Sequence, residues 1–164
     1  MEKSKRKLKS RRRFVKTIVG AAAIGGAELQ GQGINRVSGF DHVAVPMQNT
    51  DAMVAFYRRL GFQMSENANA VSVYVGSQMI NFHRPTRWQD ATFTLRAPAA
   101  KPPCGDFCFV WNGSAAELKM MLERAGVKIE LGPVDRPGGR RKTGSSTYVR
   151  DPDGNLLEFM IYPA

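Results

Sequence analysis

The chain contains two histidines, His42 and His83, and both sit where a metal ion could use them. His42 lies in the alternating run Phe40-Asp41-His42-Val43-Ala44-Val45, and His83 ends the run from Gln78 to His83. Two imidazoles joined by one or two carboxylates suit Zn²⁺, Ni²⁺, Co²⁺, Fe²⁺ or Mn²⁺. With coordination positions left open, such an ion would chelate adjacent substrate oxygens as a Lewis acid. A structural role, with His42 capping a sheet edge, is the competing reading. A second feature is the basic, glycine-rich stretch Gly132 to Gly144, which carries Arg136, Arg140, Arg141 and Lys142. It reads either as a solvated connection or as a lid whose cations meet an anionic substrate. Trp111 and Phe82 read either as lining for the same cleft or as core.

Those residues need elements to position them, and one pattern occurs twice. The alternating run Phe40–Val45 predicts a strand. Asn49 or Thr50 caps a helix over Asp51–Leu60, and Gly61 stands at its C′ position. Strands are predicted at Phe62–Ser65, Val71–Val75 and Gln78–His83, with Gly76-Ser77 as a tight turn. The second copy has a strand at Asp106–Trp111 and a helix at Ala115–Ala125, capped by Ser114 and closed by Gly126. Strands at Val127–Leu131, Thr147–Arg150 and Asn155–Ile161 follow. The fold class is therefore α+β, with two βαβββ modules whose curved mixed sheets form one cleft. The modules span about 38–83 and 105–162 within a domain at 38–164. The connector 84–104 is rich in Pro and Ala, and Phe93 and Leu95 are candidates for an extra strand in it.

The net charge of +10 suggests nucleic acid until its position is considered. Residues 1–16 hold nine basic groups and one acid, whereas the rest holds 15 basic and 13 acidic groups. A phosphate-tracking surface needs a basic face on the folded domain, so nucleic-acid binding is not expected. The run Ser10-Arg11-Arg12-Arg13-Phe14-Val15-Lys16 resembles a twin-arginine export motif. The uncharged stretch Thr17–Ala27 is shorter than the roughly 20 apolar residues a bilayer span needs. A basic n-region, a short apolar h-region and a small-x-small end fit a cleavable signal at 1–27, followed by a linker at 28–37. The resemblance implies an exported, periplasmic protein without a stable span in its mature form, or a tethered one if the signal stays uncut. Four residues along a strand separate Cys104 from Cys108 by roughly 13 Å. A disulfide needs Cα atoms within about 7 Å, so no bridge between them is expected.

Several blocks together carry a family resemblance. They are Phe40-Asp41-His42-Val43-Ala44-Val45, Phe56-Tyr57 with Leu60-Gly61-Phe62, Ile80-Asn81-Phe82-His83, and Tyr148-Val149-Arg150-Asp151-Pro152-Asp153-Gly154-Asn155-Leu156-Leu157-Glu158. In order, they resemble the vicinal-oxygen-chelate superfamily of glyoxalases, bleomycin-resistance proteins and extradiol dioxygenases. The Asn-x-His and Asp-x-Cys spacings are similar to the branch of glyoxalase-domain-containing protein 5. The resemblance implies metal ligands on the first and last strands of each module: His42, His83, Glu158 and a fourth that depends on alignment. Strand pattern gives Asp106, whereas counting back from Gly61 and Gly126 sets Phe107, which cannot bind a cation, opposite His42. It also implies a divalent transition metal, a small oxygenated substrate, and Glu158 as base when released from the metal. Arg136, Arg140, Arg141 and Trp111 are then candidates to bind substrate. The function expected is a metal-dependent lyase, isomerase or dioxygenase-type enzyme. The alternative is a non-catalytic binding or sequestration protein. Such clefts close within one chain or across a homodimer. His83 lies in the first module, which departs from the usual extradiol distribution of two histidines and one glutamate.

Overall fold

The computed structural model describes residues 36–164, so the export signal expected at 1–27 and most of the linker expected at 28–37 lie outside the described residues. Among the described residues no helix is long and apolar enough to cross a membrane. The folded unit runs from Gly39 to Ala164. Its first module is β1 (His42–Pro46), α1 (Thr50–Arg59), β2 (Gln63–Glu66), β3 (Ala70–Val75) and β4 (Gln78–His83). A short helix, α2 (Pro85–Trp88), begins the connector. The second module is β5 (Asp106–Val110), α3 (Ala115–Arg124), β6 (Ile129–Pro137), β7 (Thr143–Arg150) and β8 (Leu156–Ile161). The two four-stranded sheets have matching orders, β1-β4-β3-β2 and β5-β8-β7-β6. In each, the first strand pairs parallel with the last and the remaining pairs are antiparallel.

Strand alternation gives each sheet one apolar face and one mixed face. Val45, Val71, Val73, Ile80 and Phe82 of the first sheet share a single core with Phe109, Val149, Leu157 and Phe159 of the second. Helix α1 adds Met53, Phe56, Tyr57 and Leu60, spaced along one helical face. Edge-to-face and tilted ring pairs join the modules, with Phe62–Phe109 at 5.3 Å and Phe82–Phe107 at 6.1 Å between centroids.

Helix α3 is capped locally. Ser114 accepts from the Glu117 amide while the Glu117 carboxylate accepts from Ser114, a complete capping box. Asn49 precedes α1 without any such side-chain cap. The carboxylate of Asp153, from the far module, accepts instead from the amides of Gln48 (2.6 Å) and Asn49 (2.8 Å) and from Asn49 Nδ2 (2.9 Å). Gly61 and Gly126 follow the two helices at φ +85° and +67°, a conformation that favours glycine.

Two expectations are corrected. No strand forms at Phe93–Leu95. That segment makes turns, with Phe93 edge-to-face with the His83 ring at 5.2 Å between centroids and Leu95 exposed. The stretch 132–144 is not a long loop. β6 continues to Pro137 and β7 starts at Thr143, so a short hairpin tip remains. Register shifts between Ile129 and Val134 absorb Gly132-Pro133. Pro137 is tolerated because β6 is an edge strand. The tip packs closely on Tyr162: a Cβ on Gly138 would collide with Tyr162 Oη, and Arg140 stacks over the Tyr162 ring at 4.9 Å.

The modules are fastened by a buried carboxylate. Asp151 accepts from Tyr57 Oη (3.1 Å), Asn155 N (2.8 Å), Asn155 Nδ2 (2.8 Å) and Asp153 N (3.0 Å). Asn155 Oδ1 in turn accepts from the amides of Cys104 and Gly105. Burial raises the Asp151 carboxyl above its usual value, although the bonds from Asn155 and Tyr57 oppose the shift. Replacing Asp151 with Ala strands several buried donors, so a loss of about 2–4 kcal/mol in urea unfolding is expected. Tyr57→Phe removes one bond of the set and should cost about 1 kcal/mol. The folded pKa lies above the unfolded one. Asp151's own contribution is therefore fully present below about pH 3.9 and is lost as pH rises through the folded value. In Asp151→Asn that component of the pH slope should vanish.

Candidate functional site

The register of the two sheets decides which candidate residues can meet. Along β1 and β4, His42 pairs with Met79, Ala44 with Asn81, and Pro46 with His83. All six lie on the mixed face, but four residue steps separate the His42 level from the His83 level, roughly 13 Å along the strands. On the second sheet, Asp106, Cys108, Glu158, Tyr148 and Ser146 share the mixed face. The pairs Val134–Ser146 and Arg136–Gly144 extend it to Arg136, whose guanidinium lies 5.9 Å from the Tyr148 ring centroid.

A cavity of about 280 Å³ joins the modules at the start of β1. His42, Met79, Asp106 and Cys108 line it, with Phe40 and Phe109. His42 Nδ1 is 2.7 Å from Asp41 Oδ1, so the neutral ring donates there and keeps its lone pair on Nε2. Glu158 is directly opposite Cys108 on β8, is half-buried, and accepts a short hydrogen bond from the fully buried Ser146 hydroxyl. Cys108 reaches solvent, yet local burial and the Glu158 charge push its thiol up to about 12.

His83 belongs to a different place. Its ring packs on Phe93 and lines a separate cavity under the connector with Trp88 and Arg96. Burial first, then Arg87 and His42, lower its pKa below the usual histidine value. The structure thus brings His42 and Asp106 together, puts Glu158 one strand behind them, and sets His83 apart. Arg136 shares a face with Glu158, whereas Arg140 and Arg141 stand at the hairpin tip. Trp111 follows β5 on the core side, with its indole N–H donating to Ser114 O at 3.1 Å. Sequence reasoning missed Ser146, for which spacing gives no signal beyond alternation. It also gave no role to Asn81, two residues before His83.

The donor types suit a divalent transition metal, since imidazole and carboxylate are its common ligands. Their placement falls short. Among the described residues, no three His, Cys, Asp or Glu side chains come together closely enough to hold an ion. His42 and Asp106 face one cavity, while Glu158 is held by Ser146. Glu158 adds to burial in raising the Cys108 thiol, which gives a direct check. Iodoacetamide should alkylate Cys108 slowly at mildly alkaline pH, and Glu158→Gln should speed that reaction by removing the negative charge. Mass spectrometry of the Cys108 peptide reads both rates.

Residues 39–159 match the family model of the glyoxalase/bleomycin resistance protein/dioxygenase superfamily. The chain is 33% identical over 127 residues to the glyoxalase domain-containing protein RDO1 of Mycosarcoma maydis, covering 77% of this chain and 69% of that one. An integron cassette protein of V. cholerae superposes with a TM-score of 0.68 at 29% identity, over 78% of this chain and 98% of that one. Lactoylglutathione lyase from Agrobacterium tumefaciens superposes with a TM-score of 0.59 at 26% identity, over 77% and 95%. Matching sequence along the whole folded unit, and matching architecture, place this chain in the glyoxalase/bleomycin resistance protein/dioxygenase superfamily.

Proposed function

We propose that the protein is an enzyme that acts on a small oxygenated substrate in the cavity between the two modules. The observation that carries this reading is the convergence of His42 and Asp106, from opposite modules, on one cavity with Glu158 beside it. His42 and Asp106 would supply two of the donors a divalent cation needs there, with water or substrate completing the set, and such a cation would supply Lewis acidity to adjacent substrate oxygens. The protein's own groups have separable tasks. Asp41 orients the His42 ring. Ser146 holds Glu158, whose carboxylate can accept a proton from a substrate carbon or hydroxyl. Arg136, on the same face, can pair with an anionic group of the substrate. The likeness to lactoylglutathione lyase supports a lyase or isomerase chemistry, and the Asn-x-His and Asp-x-Cys spacings support the glyoxalase-domain-containing-protein-5-like branch.

A second reading is favoured by a specific observation, the absence of any three-donor cluster among the described residues. On that reading the cavity sequesters a small molecule without turnover. Metal analysis of the full-length protein separates the two. The enzyme reading expects a stoichiometric transition metal that is lost in His42→Ala and Asp106→Ala. It also expects turnover to fall about a hundredfold or more in Glu158→Gln, the usual scale for losing a general base. Folded protein that takes up none of Zn²⁺, Ni²⁺, Co²⁺, Fe²⁺ or Mn²⁺, yet binds its ligand in chelator, would establish the sequestration reading.

The proposal extends to location and assembly. The Ser10–Lys16 motif supports export, tested by fusing residues 1–30 to a reporter and asking whether export requires Arg11 and Arg12. Edge strands β1 and β5 expose Val43 and Val110, which supports a homodimer as the working form.

A further inference from the structure

The cavity under the connector is separate from the His42–Asp106 cavity, shares no lining residue with it, and has its own polar groups. Its volume is about 130 Å³. That is close to the size of an apolar cavity that accommodates benzene. Its floor is the mixed face of the first sheet, at Ala44, Pro46 and His83, and its roof is the connector, at Trp88, Arg96 and Ala100. The roof is fastened from several sides. Trp88 Nε1 donates to Met47 O at 2.8 Å, and Arg87 stacks 3.7 Å over Phe93, which itself packs on His83. The amides of Cys104 and Gly105 end the connector on Asn155.

Two polar groups face this otherwise apolar space. Arg96 Nη1 donates to Ala97 O and Pro98 O, both at 3.2 Å, which fixes the guanidinium at the wall. The His83 tautomer is set by a short relay across β3 and β4. Ser72 Oγ donates to Asn81 Oδ1 at 3.2 Å, so the Asn81 amide turns its Nδ2 toward His83 Nε2, 3.4 Å away. Nε2 is then the acceptor, and His83 carries its proton on Nδ1 as a donor.

A cation and an imidazole beside apolar and indole walls define a ligand. We infer that this pocket binds a small monocarboxylate with a compact aromatic or branched apolar body. The carboxylate pairs with Arg96 and His83, and the body fills the space against Trp88, Pro46 and Ala44. This assigns His83 to ligand binding at a second pocket and takes it out of the metal set.

Benzoate is the probe, with benzamide as its uncharged isostere, both titrated into the full-length protein. Trp88 fluorescence is followed in a Trp111→Phe background, together with the NMR resonances of the His83 ring. Benzoate should shift both signals and bind at least about tenfold more tightly than benzamide, the scale of one charge-assisted contact. Arg96→Met should remove that preference while leaving benzamide binding unchanged. Ala100→Leu should fill the cavity and abolish binding of both. His42→Ala, which disables the other cavity, should leave benzoate binding intact, so failure there is distinguishable from failure here. Equal binding of benzoate and benzamide overturns the proposal. So does unchanged benzoate binding in Arg96→Met or Ala100→Leu, or loss of binding in His42→Ala.

Discussion

The arrangement of this protein depends on a carboxylate that would rather be in water. Asp151 is 5% exposed and forms no salt bridge among the described residues; amide and phenol donors surround it instead. Desolvating a carboxylate is costly, and four hydrogen bonds offset that cost only while every donor is in place. Those donors come from α1 and from the β7–β8 turn, and Asn155 passes the constraint on to the connector. One turn therefore fixes where α1, β5 and the connector stand. Apolar packing between the sheets supplies most of the driving force, but it is non-directional and sets no register between modules. The Asp151 network supplies that direction.

Given this frame, the pleat does the rest. Each strand sends alternate residues to the shared core, and what remains collects on the mixed faces. His42, Asn81, His83, Asp106, Cys108, Ser146 and Glu158 all follow this rule. Sharing a face is not the same as sharing a site. The parallel pairing of β1 with β4 offsets His42 from His83 by four residues, and two cavities result where one was expected.

Much of this was legible in the residues. The two-module pattern, the glycines that end α1 and α3, and the alternation of β1, β3, β4, β5 and β8 are local signals, and local geometry obeyed them. The full length of the second hairpin is not legible in the sequence, because Gly132-Pro133 and Pro137 are breakers in an average strand. An edge strand with register shifts accommodates them. The connector was opaque because Phe93 is apolar for the sake of His83 and Arg87, a tertiary reason with no periodicity. His42 and Asp106 line one cavity, as an alignment of β1 with β5 by strand pattern suggests. The separation of His83 was not legible, because it depends on which residue of β4 faces which residue of β1.

The unequal capping of the two helices bears on the order in which the chain can organise itself. Helix α3 carries its own start signal in Ser114 and Glu117, three residues apart. Helix α1 has no side-chain cap, and the segment that enters it is held by Asp153, 104 residues away from Asn49 along the chain. A ribosome releases α1 long before it makes Asp153. The first module thus emerges with α1 unanchored, and the β7–β8 hairpin, synthesised later, completes it. Any truncation that removes the β7–β8 turn unfastens the start of α1.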